Sequence, residues 1–420
     1  MEFSTNDVFN ASQALADANN YPFIRVTSGP LQGKLDLHTI GPTPYANRVA
    51  VDLPWSIATN ETIGGVGGSG GWDYFSAVCW FTLKGVADAN KAAGQVIPLG
   101  GIVECYGGTS IQWWSSPQAL AKCDLASNPG SACCNYGGNA SCLFNAQVAP
   151  YTIGPTRVSS FAWYQGEQNA GCGGPPQIPY YECALPALIA DWRALFDSPN
   201  APFGVFLLAA WSATTDSFPL IRLVQVEVSH SVPNTYVSST LDQGTPGGPV
   251  HSIYKQIPGF RASLAISNLV YGRSVEYKGP AAITAVAPSS PISADATAAV
   301  QFSLPLVLSA PAPTCPLAAA ACEGFAVQLA PACTWVTSAP GPLVVSLGTD
   351  AMSLQLTLPA AARAGGNIVA VRGYFGNWPL VNVYGETGLP IEPFLLNATT
   401  SGNPCSPPTS GDEWDASVHA

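Results

Sequence analysis

The amino-acid sequence predicts a three-layer α/β domain over residues 1–278, followed by a smaller β-sandwich-like domain over residues 279–398. Before residue 280, apolar strands interleaved with helical segments predict a mainly parallel sheet covered on both faces. After residue 280, short strands separated by Pro, Gly and Ala turns are typical of a β-sandwich. The chain has 420 residues, enough for two or three domains. The last segment, 399–420, is expected to be a disordered tail.

The first domain contains segments with the apolar character of buried strands and segments with helical spacing. The predicted strands lie within GQVIPLGGIVE, RVSSFAWYQGE, PFGVFLLAAW and NTYVSSTLD. Two segments have helical spacing. The later one, KQIPGFRASLAISNLVYG, ends at Gly272. The earlier one, YECALPALIADWRALF, places five apolar residues on one face, namely Leu185, Leu188, Ile189, Trp192 and Phe196.

The second domain is predicted from short strands alone. These lie within AAITAVAP, AAVQFSLPLVLS, FAVQLAP, PLVVSLG and SLQLTLP. Each is bounded by turn residues, as expected for a β-sandwich.

Composition excludes several classes of partner. Charged residues make up only 10% of the chain, well below the ~25% usual in soluble domains. The net charge of -11 argues against nucleic acid, because phosphate binding needs clustered Lys and Arg. No apolar run reaches the ~18 residues that a membrane-spanning helix needs, so we expect no membrane span.

Cysteine usage indicates an oxidising compartment. The chain has 12 cysteines, none in a CxxC pair, and only 4 histidines, so a zinc site is not expected. Six disulfides are possible, with the connectivity left open, and the cysteine-dense segment 121–142 is expected to be held by such bonds. Together with the sequons, this predicts a secreted or lysosome-like protein. The four sequons begin at Asn10, Asn60, Asn139 and Asn397.

Histidine is scarce enough for each residue to be weighed. His419 lies in the predicted tail, His38 in a Pro- and Gly-rich loop, and His230 after a helical stretch. None of these three positions indicates a catalytic role. His251 instead follows a predicted strand, in the turn DQGTPGGPVHSIYK. Open α/β sheets place their sites at this carboxyl edge. His251 is therefore the candidate catalytic histidine, although the residue pattern alone leaves a structural role equally open.

Two further turns follow predicted strands. WYQGEQN places Gln165, Glu167 and Asn169 at a strand tip; these side chains either form part of a site or simply face solvent. Gly107 and Gly108 follow another strand, and backbone N–H groups at such a turn can contribute to an oxyanion hole. Gly pairs are common in turns, so this signal is weak by itself.

A nucleophile is harder to identify. GGSGG, around Ser69, matches G-x-S-x-G, but a nucleophile elbow needs a strand before the serine and a helix after it. The surrounding NETIGGVGGSGGW has no strand character, so a loop is the better interpretation. The residues thus indicate a hydrolase site that has a base and oxyanion donors but no obvious attacking group.

These strings together resemble the sialate O-acetylesterase family of the SGNH hydrolase group. WYQGEQNA is similar to that family's WYQGESNA block and differs only at Gln168. YGGTSIQWWSS resembles WGGTPIEAWSS, LFNAQVAP resembles LWNAMIHP, and VHSIYKQ corresponds to the IHPRDKQ block that carries the catalytic histidine. The ordered series spans most of residues 1–275, with weaker likeness at 368–379.

The resemblance implies an SGNH-hydrolase-like first domain and a role for each residue. His251 would be the general base, activating a serine and later protonating the leaving sugar hydroxyl. Gly107 or Gly108, with Gln165, would hold the oxyanion, and Glu167 and Asn169 would support the site. The reaction would remove O-acetyl groups from sialic acid or a related sugar, without a cofactor.

The sequence departs from the family pattern at two points. Pro249 and Val250 stand where many relatives have an acidic residue before the histidine, so either Asp242 serves instead or the site is a dyad. The family's nucleophile lies in a GQSNM block, and Met1 corresponds to its Met. The resemblance therefore places the serine, a first core strand and a signal peptide upstream of Met1.

Two functions remain open on the sequence. The first is a carbohydrate esterase that uses a serine acyl-enzyme. The second is a catalytically inactive glycan-binding or vestigial protein on the same fold. The preferred acetylated sugar and the oligomeric state are left open as well.

Overall fold

A computed structural model shows mixed α/β content with several small sheets in the part of the chain that it describes. The chain divides into two compact units. Unit 1 comprises Met1–Leu208, Glu227–Gln243 and His251–Tyr277, and unit 2 comprises Ala209–Val226, Gly244–Val250 and Lys278–Ala420. Two short segments of unit 2 thus lie inside the range 1–278 assigned to the first domain by sequence. The described residues are 3–30, 35–65, 75–123, 140–154, 156–171, 176–212, 217–288, 293–309, 314–316, 322–338, 341–364, 366–398 and 405.

The described helices fall mostly within the first 270 residues. Short 3₁₀ turns and a π-helical turn at Phe144–Val148 accompany them. The α-helices are α1 (Ala11–Ala18), α2 (Asn60–Gly64), α3 (Ala77–Ala92), α4 (Ile111–Trp114), α5 (Pro117–Leu120), α6 (Ala149–Thr152), α7 (Ile178–Leu195), α8 (Ser217–Ser231) and α9 (Gln256–Leu269).

The described strands alternate with these helices and then continue without them. They are β1 (Ile24–Ser28), β2 (Leu53–Ile57), β3 (Leu99–Val103), β4 (Phe161–Trp163), β5 (Phe203–Phe206), β6 (Thr235–Ser238), β7 (Ala282–Val286), β8 (Ala296–Phe302), β9 (Leu306–Leu308), β10 (Cys322–Glu323), β11 (Phe325–Ala330), β12 (Thr334–Thr337), β13 (Val344–Leu347), β14 (Ser353–Leu358), β15 (Asn367–Gly373), β16 (Trp378–Pro379), β17 (Val383–Gly385) and β18 (Phe394–Asn397).

Unit 1 contains two three-stranded sheets with the orders β2-β1-β3 and β4-β5-β6. Pairing is parallel between β1 and β3, between β4 and β5, and between β5 and β6, as the apolar runs predict. The edge strand β2 is antiparallel to β1. Among the described strands, β3 and β4 each have one ladder partner, so the predicted single sheet is present as two half-sheets.

A helix-covered core lies against the first half-sheet. Ile24 and Val26 of β1 and Val103 of β3 pack with Trp80 and Phe81 of α3. The alternation of buried positions along α3 follows from helical spacing, which places residues three and four apart on one face. This packing places α3 against the first half-sheet.

Helix α7 lies between β4 and β5 and buries most of the apolar face that its spacing predicts, and helix α9 follows β6. Of the five apolar residues predicted to share one face of α7, Leu185, Leu188, Ile189 and Phe196 are buried and Trp192 is partly buried. Trp192 packs edge-on against Trp163 of β4, with ring centroids 5.7 Å apart. Helix α9 packs with β6, where Ser238 Oγ donates to the Pro258 carbonyl at 2.8 Å. The helix therefore begins at the carboxyl end of the sheet.

Unit 2 contains two four-stranded antiparallel sheets, with the orders β12-β11-β15-β18 and β13-β14-β8-β7. Their facing surfaces meet at aromatic rings: Phe302 of β8 and Phe394 of β18 lie 5.7 Å apart, and Phe394 also contacts Phe325 of β11. Face-to-face packing of two antiparallel sheets is the β-sandwich arrangement.

Three disulfides are present in the described part of the chain. They join Cys123 to Cys183 in unit 1, and Cys315 to Cys322 and Cys333 to Cys405 in unit 2. Cys405 is only 2% exposed, so the segment predicted as a disordered tail is tethered at this position. The rest of that segment, and Cys133, Cys134 and Cys172, lie outside the described residues.

The described residues include neither a membrane-spanning helix nor a cluster of metal ligands. No helix among them is both long and apolar enough to cross a bilayer. They also hold no group of three or more His, Cys, Asp or Glu side chains placed to bind a metal ion.

Candidate active site

The turns that follow β3 and β4 carry most of the predicted site residues. After β3 the chain reaches Gly107 and Gly108, and Gly108 has a φ of 68°. After β4, Gly166 turns with a φ of 141°. Both values lie in the region that favours glycine, because a Cβ would be strained there. Both turns therefore adopt backbone conformations that glycine at positions 108 and 166 makes possible.

Asn169 joins these two turns from a fully buried position, with 0% of its surface exposed. Its Oδ1 accepts hydrogen bonds from the Ile111 backbone at 3.0 Å and from Gln165 Nε2 at 2.7 Å. Its Nδ2 donates to Gln112 Oε1 at 3.1 Å and to Gln177 Oε1 at 2.9 Å. Every donor and both acceptor positions of this amide are therefore used.

Gln165 is also committed to the link between the turns. Its Nε2 donates to the Thr109 carbonyl at 3.1 Å as well as to Asn169. An amide nitrogen has two hydrogens, so in this conformation neither is directed at a ligand. The predicted oxyanion-hole roles of Gln165, Gly107 and Gly108 stay predictions.

His251 and Glu167 interact electrostatically. Burial lowers the pKa of His251 below its ordinary value, while the negative charge of Glu167 raises that pKa and the positive charge of Lys255 lowers it. An ordinary histidine titrates near pH ~6.5, so a lowered pKa leaves the imidazole neutral at pH 7. A neutral imidazole can accept a proton, as a general base must.

Lys255 is the site residue that the sequence did not single out. It is 3% exposed, and its ammonium lies 4.8 Å from the ring centroid of Tyr164 and 5.2 Å from that of Phe3. Burial lowers the pKa of Lys255 to about 8, and Glu167 acts in the opposite direction. VHSIYKQ contains this lysine, but burial of its side chain depends on rings from two distant segments.

The segment from Phe3 to Phe9 docks onto the segment that carries His251. The Phe9 backbone N–H donates to the Ile253 carbonyl at 2.9 Å, and the Phe9 and Tyr254 rings lie 5.5 Å apart. The Phe3 carbonyl accepts from the Ala77 backbone at 2.8 Å, at the start of α3. The residues that follow the expected nucleophile position are thus fixed beside the predicted general base.

Asp242, the predicted acidic partner of His251, is paired with Arg261 of α9. Arg261 Nη1 donates to Asp242 Oδ1 and Nη2 donates to Oδ2, both at 2.7 Å. This bidentate pair occupies both carboxylate oxygens and ties the loop after β6 to α9. The orienting role of Asp242 stays a prediction, and Glu167 is the carboxylate that acts on the imidazole.

The remaining predicted positions lie apart from this group of residues. The sequon residues Asn10, Asn60 and Asn397 are exposed, as a glycan requires, and so are His38 and His230. Asn139, Ser69 and His419 lie outside the described residues.

Comparison with known proteins gives a consistent family. No protein-family model matches the chain. The human sialate O-acetylesterase is 30% identical over 302 residues, covering 67% of this chain and 53% of the relative. The mouse sialate O-acetylesterase is 28% identical over 327 residues, covering 67% of this chain and 56% of the relative. The chain thus spans about half the length of the curated relatives that it matches.

A solved structure supports the architecture. A carbohydrate acetylesterase from Xanthomonas citri superposes with a TM-score of 0.70 over 94% of this chain and 78% of that protein, at 23% identity. At this identity the likeness speaks for the fold alone. Family membership rests instead on the ordered sequence similarity, by which the chain belongs to the sialate O-acetylesterase family.

Proposed function

We propose that this protein is a carbohydrate esterase that removes O-acetyl groups from sialic acid or a related sugar through a serine acyl-enzyme. The observation that carries the proposal is the packing of three segments around Lys255: the segment at Phe3, the turn with Tyr164 and Glu167, and the segment with His251. By the family resemblance, the first of these segments directly follows the nucleophile, the second is the supporting turn and the third carries the base.

In the proposed reaction a serine oxygen attacks the acetyl carbonyl carbon and passes its proton to the neutral His251 imidazole. Backbone N–H groups at Gly107 or Gly108 hold the oxyanion of the tetrahedral intermediate. The intermediate collapses, the bond to the sugar oxygen breaks, and His251 returns the proton to that oxygen. Water then attacks the acetyl-serine with the same base, releasing acetate and restoring the serine.

Glu167 has an electrostatic role in this scheme. When His251 accepts the proton it becomes an imidazolium, and a nearby carboxylate stabilises that cation. Glu167 raises the pKa of His251, which is the direction that this stabilisation requires. Burial lowers the pKa of His251 most, and Lys255 lowers it further, so the base stays neutral before the reaction begins.

The proposed serine is carried by a strand that precedes Phe3 in the active protein. In the described residues, β3 pairs with β1 and β4 pairs with β5, and the other edge of each strand has no ladder partner. Unpaired parallel edges readily accept another strand. A strand between β3 and β4, parallel to both, would end at the edge where Phe3 lies near Tyr164 and Lys255.

The compartment forms part of the proposal. Three disulfides and exposed asparagines at three sequons support a protein that matures in the secretory pathway. We therefore place it outside the cell or in a lysosome-like compartment, with an O-acetylated sugar or glycan as its substrate.

The test is acetate release by the chain extended with the in-frame codons upstream of Met1. We expect a Gly-Gln-Ser-Asn sequence there, and release of acetate from an O-acetylated sialic acid. Replacing the serine by Ala, or His251 by Ala, should abolish turnover, while His230→Ala, at an exposed position, should not. If the folded, extended protein releases no acetate yet still binds glycans, the inactive glycan-binding alternative is correct.

A further inference from the structure

A second polar cluster lies at the carboxyl ends of β1 and β3, the edge that also carries the Gly107 turn. It consists of Arg48, Glu104 and Tyr151, none of which has a part in the proposed reaction. Glu104 directly follows β3, and its carboxylate lies so close to Gly29, just after β1, that a Cβ there would come within 1.8 Å of Oε2. The side chains of Arg48 and Glu104 are 19% and 10% exposed, so the cluster lies just beneath the surface.

The hydrogen bonds within the cluster use only some of its polar donor and acceptor atoms. The Tyr151 hydroxyl donates to Glu104 Oε1 at 2.6 Å, and Arg48 Nη1 donates to Thr27 Oγ1 at 3.2 Å. The Arg48 guanidinium also lies 5.2 Å from the centroid of the Tyr151 ring. Arg48 Nη2 is 3.6 Å from Glu104 Oε1, too far for a direct hydrogen bond.

Three buried polar atoms of this cluster have no hydrogen-bond partner in the described part of the chain. They are Nε and Nη2 of Arg48 and Oε2 of Glu104. A buried polar group left without a partner costs about 1–3 kcal/mol, and native proteins satisfy nearly all of them. An external group that bonds these atoms would remove that cost.

The chemistry of the unpaired atoms indicates an anion. The Nε and Nη2 edge of a guanidinium is a two-donor fork that matches a carboxylate. Burial raises the pKa of Glu104 to about 8, whereas Tyr151 and Arg48 lower it and Asp52 raises it. At pH 7 Glu104 is therefore mostly protonated, so it leaves the Arg48 charge without a full counter-charge and supplies one more O–H donor.

We propose that Arg48, backed by Glu104 and Tyr151, forms a subsite that binds a carboxylate group of a ligand. The identity of that ligand rests on the proposed esterase function, which offers two carboxylates: the acid group of an acidic sugar and the acetate that is released. Both would engage the Arg48 fork in the same way, and direct binding measurements distinguish them.

The experiment is calorimetric titration of the chain at pH 6.5 with N-acetylneuraminic acid, with its uncharged methyl ester, and with sodium acetate. We expect the acid to bind about tenfold or more tightly than the ester, because a charge-assisted bidentate contact is lost in the ester. Arg48→Met should remove this difference, and Arg48→Lys, which keeps the charge but not the fork, should retain only part of it.

Arg25→Met is the matched control, because Arg25 is exposed on β1 and donates to the Pro22 carbonyl. Acetate that binds to the wild type and not to Arg48→Met, with no acid–ester difference, would assign the subsite to the product. Equal binding of acid and ester together with no Arg48-dependent acetate binding overturns the subsite. This comparison within the wild type holds even if a variant fails to fold.

The binding measurement does not depend on a nucleophile, so the carboxylate subsite and the esterase function can be refuted independently of each other. Acetate release by the extended enzyme without carboxylate-dependent binding would refute the subsite and leave the esterase. Carboxylate-dependent binding without any acetate release would keep the subsite and refute the esterase.

Discussion

The ammonium of Lys255 lies 4.8 Å from the ring centroid of Tyr164, and Phe3 contributes a second ring on the same cation at 5.2 Å. Tyr164 begins the turn that carries Glu167, and Lys255 lies four residues after His251. Contacts between a cation and aromatic faces strengthen when the cation is desolvated. Lys255 therefore connects three segments of the site, and its charge lowers the pKa of His251.

Lys255→Met should raise the pKa of His251. The positive charge of Lys255 disfavours a second cation beside it, so removing that charge favours the imidazolium, although burial still lowers the pKa of His251. The imidazole can be titrated by NMR in this chain, because only 4 histidines are present. In the extended enzyme, the acidic limb of the activity profile should move to higher pH. Lys91→Met, at an exposed position of α3, is the control, and an unchanged His251 titration in Lys255→Met would contradict the assignment.

Glu167→Gln should shift the pKa of His251 in the opposite direction, to a lower value. Glu167 raises that pKa, and glutamine keeps the shape of the side chain without its charge. Asp242→Asn should leave the His251 titration unchanged, because Arg261 takes both oxygens of Asp242. The same NMR titration compares the two variants.

The loss of the Asp242–Arg261 pair should appear in stability instead. Hydrogen bonds to charged groups contribute about 1.5–3 kcal/mol, so Asp242→Asn should lower the free energy of unfolding by about that amount. Urea denaturation measures it. A His251 pKa that falls in Asp242→Asn as far as in Glu167→Gln would identify Asp242 as the acidic partner after all.

Much of the unit 1 fold could be predicted from local pattern. Strands buried on both faces need continuous apolar residues, and these marked β3, β4, β5 and β6. Helical spacing marked the buried face of α7 in the same way. The division into two half-sheets could not be predicted, since strand partners are chosen by tertiary contacts between distant segments.

The candidate site, too, could be predicted from the sequence only in part. Turn chemistry and family resemblance singled out His251 and the turn from Gln165 to Asn169 as candidates. The sequence could not tell whether polar residues at the strand tip face a ligand or the interior, and Asn169 proves fully buried. The burial of Lys255 and the pairing of Asp242 with Arg261 each depend on residues from other elements. The sequence around Lys255 or Asp242 therefore does not predict these contacts.

Asn169→Ala should destabilise unit 1 strongly. The substitution removes four side-chain hydrogen bonds in a site with no exposed surface. At about 1 kcal/mol for each bond, the free energy of unfolding should fall by roughly 3–4 kcal/mol in urea denaturation. Asn20→Ala, at an exposed helix end, should change it little. A small effect at Asn169 would mean that the network reorganises around other partners.

Glu104→Gln should change how stability depends on pH. The pKa of Glu104 is about 8 in the folded chain against 4.5 as its ordinary value, so between these values the folded state binds more protons than the unfolded state. The contribution of Glu104 is then fully present below pH ~4.5 and is lost as pH rises through about 8. Glutamine does not titrate. The wild type should therefore lose stability relative to Glu104→Gln, by a few kcal/mol, between pH 5 and pH 8.

Urea denaturation of both proteins at the two pH values measures this difference. Glu61→Gln serves as the control, because Glu61 is exposed in α2 and should follow the wild type at both pH values. If the difference between wild type and Glu104→Gln is the same at pH 5 and pH 8, Glu104 is ionised throughout that range. It would then neutralise Arg48, and the positive charge that the carboxylate subsite requires would be absent.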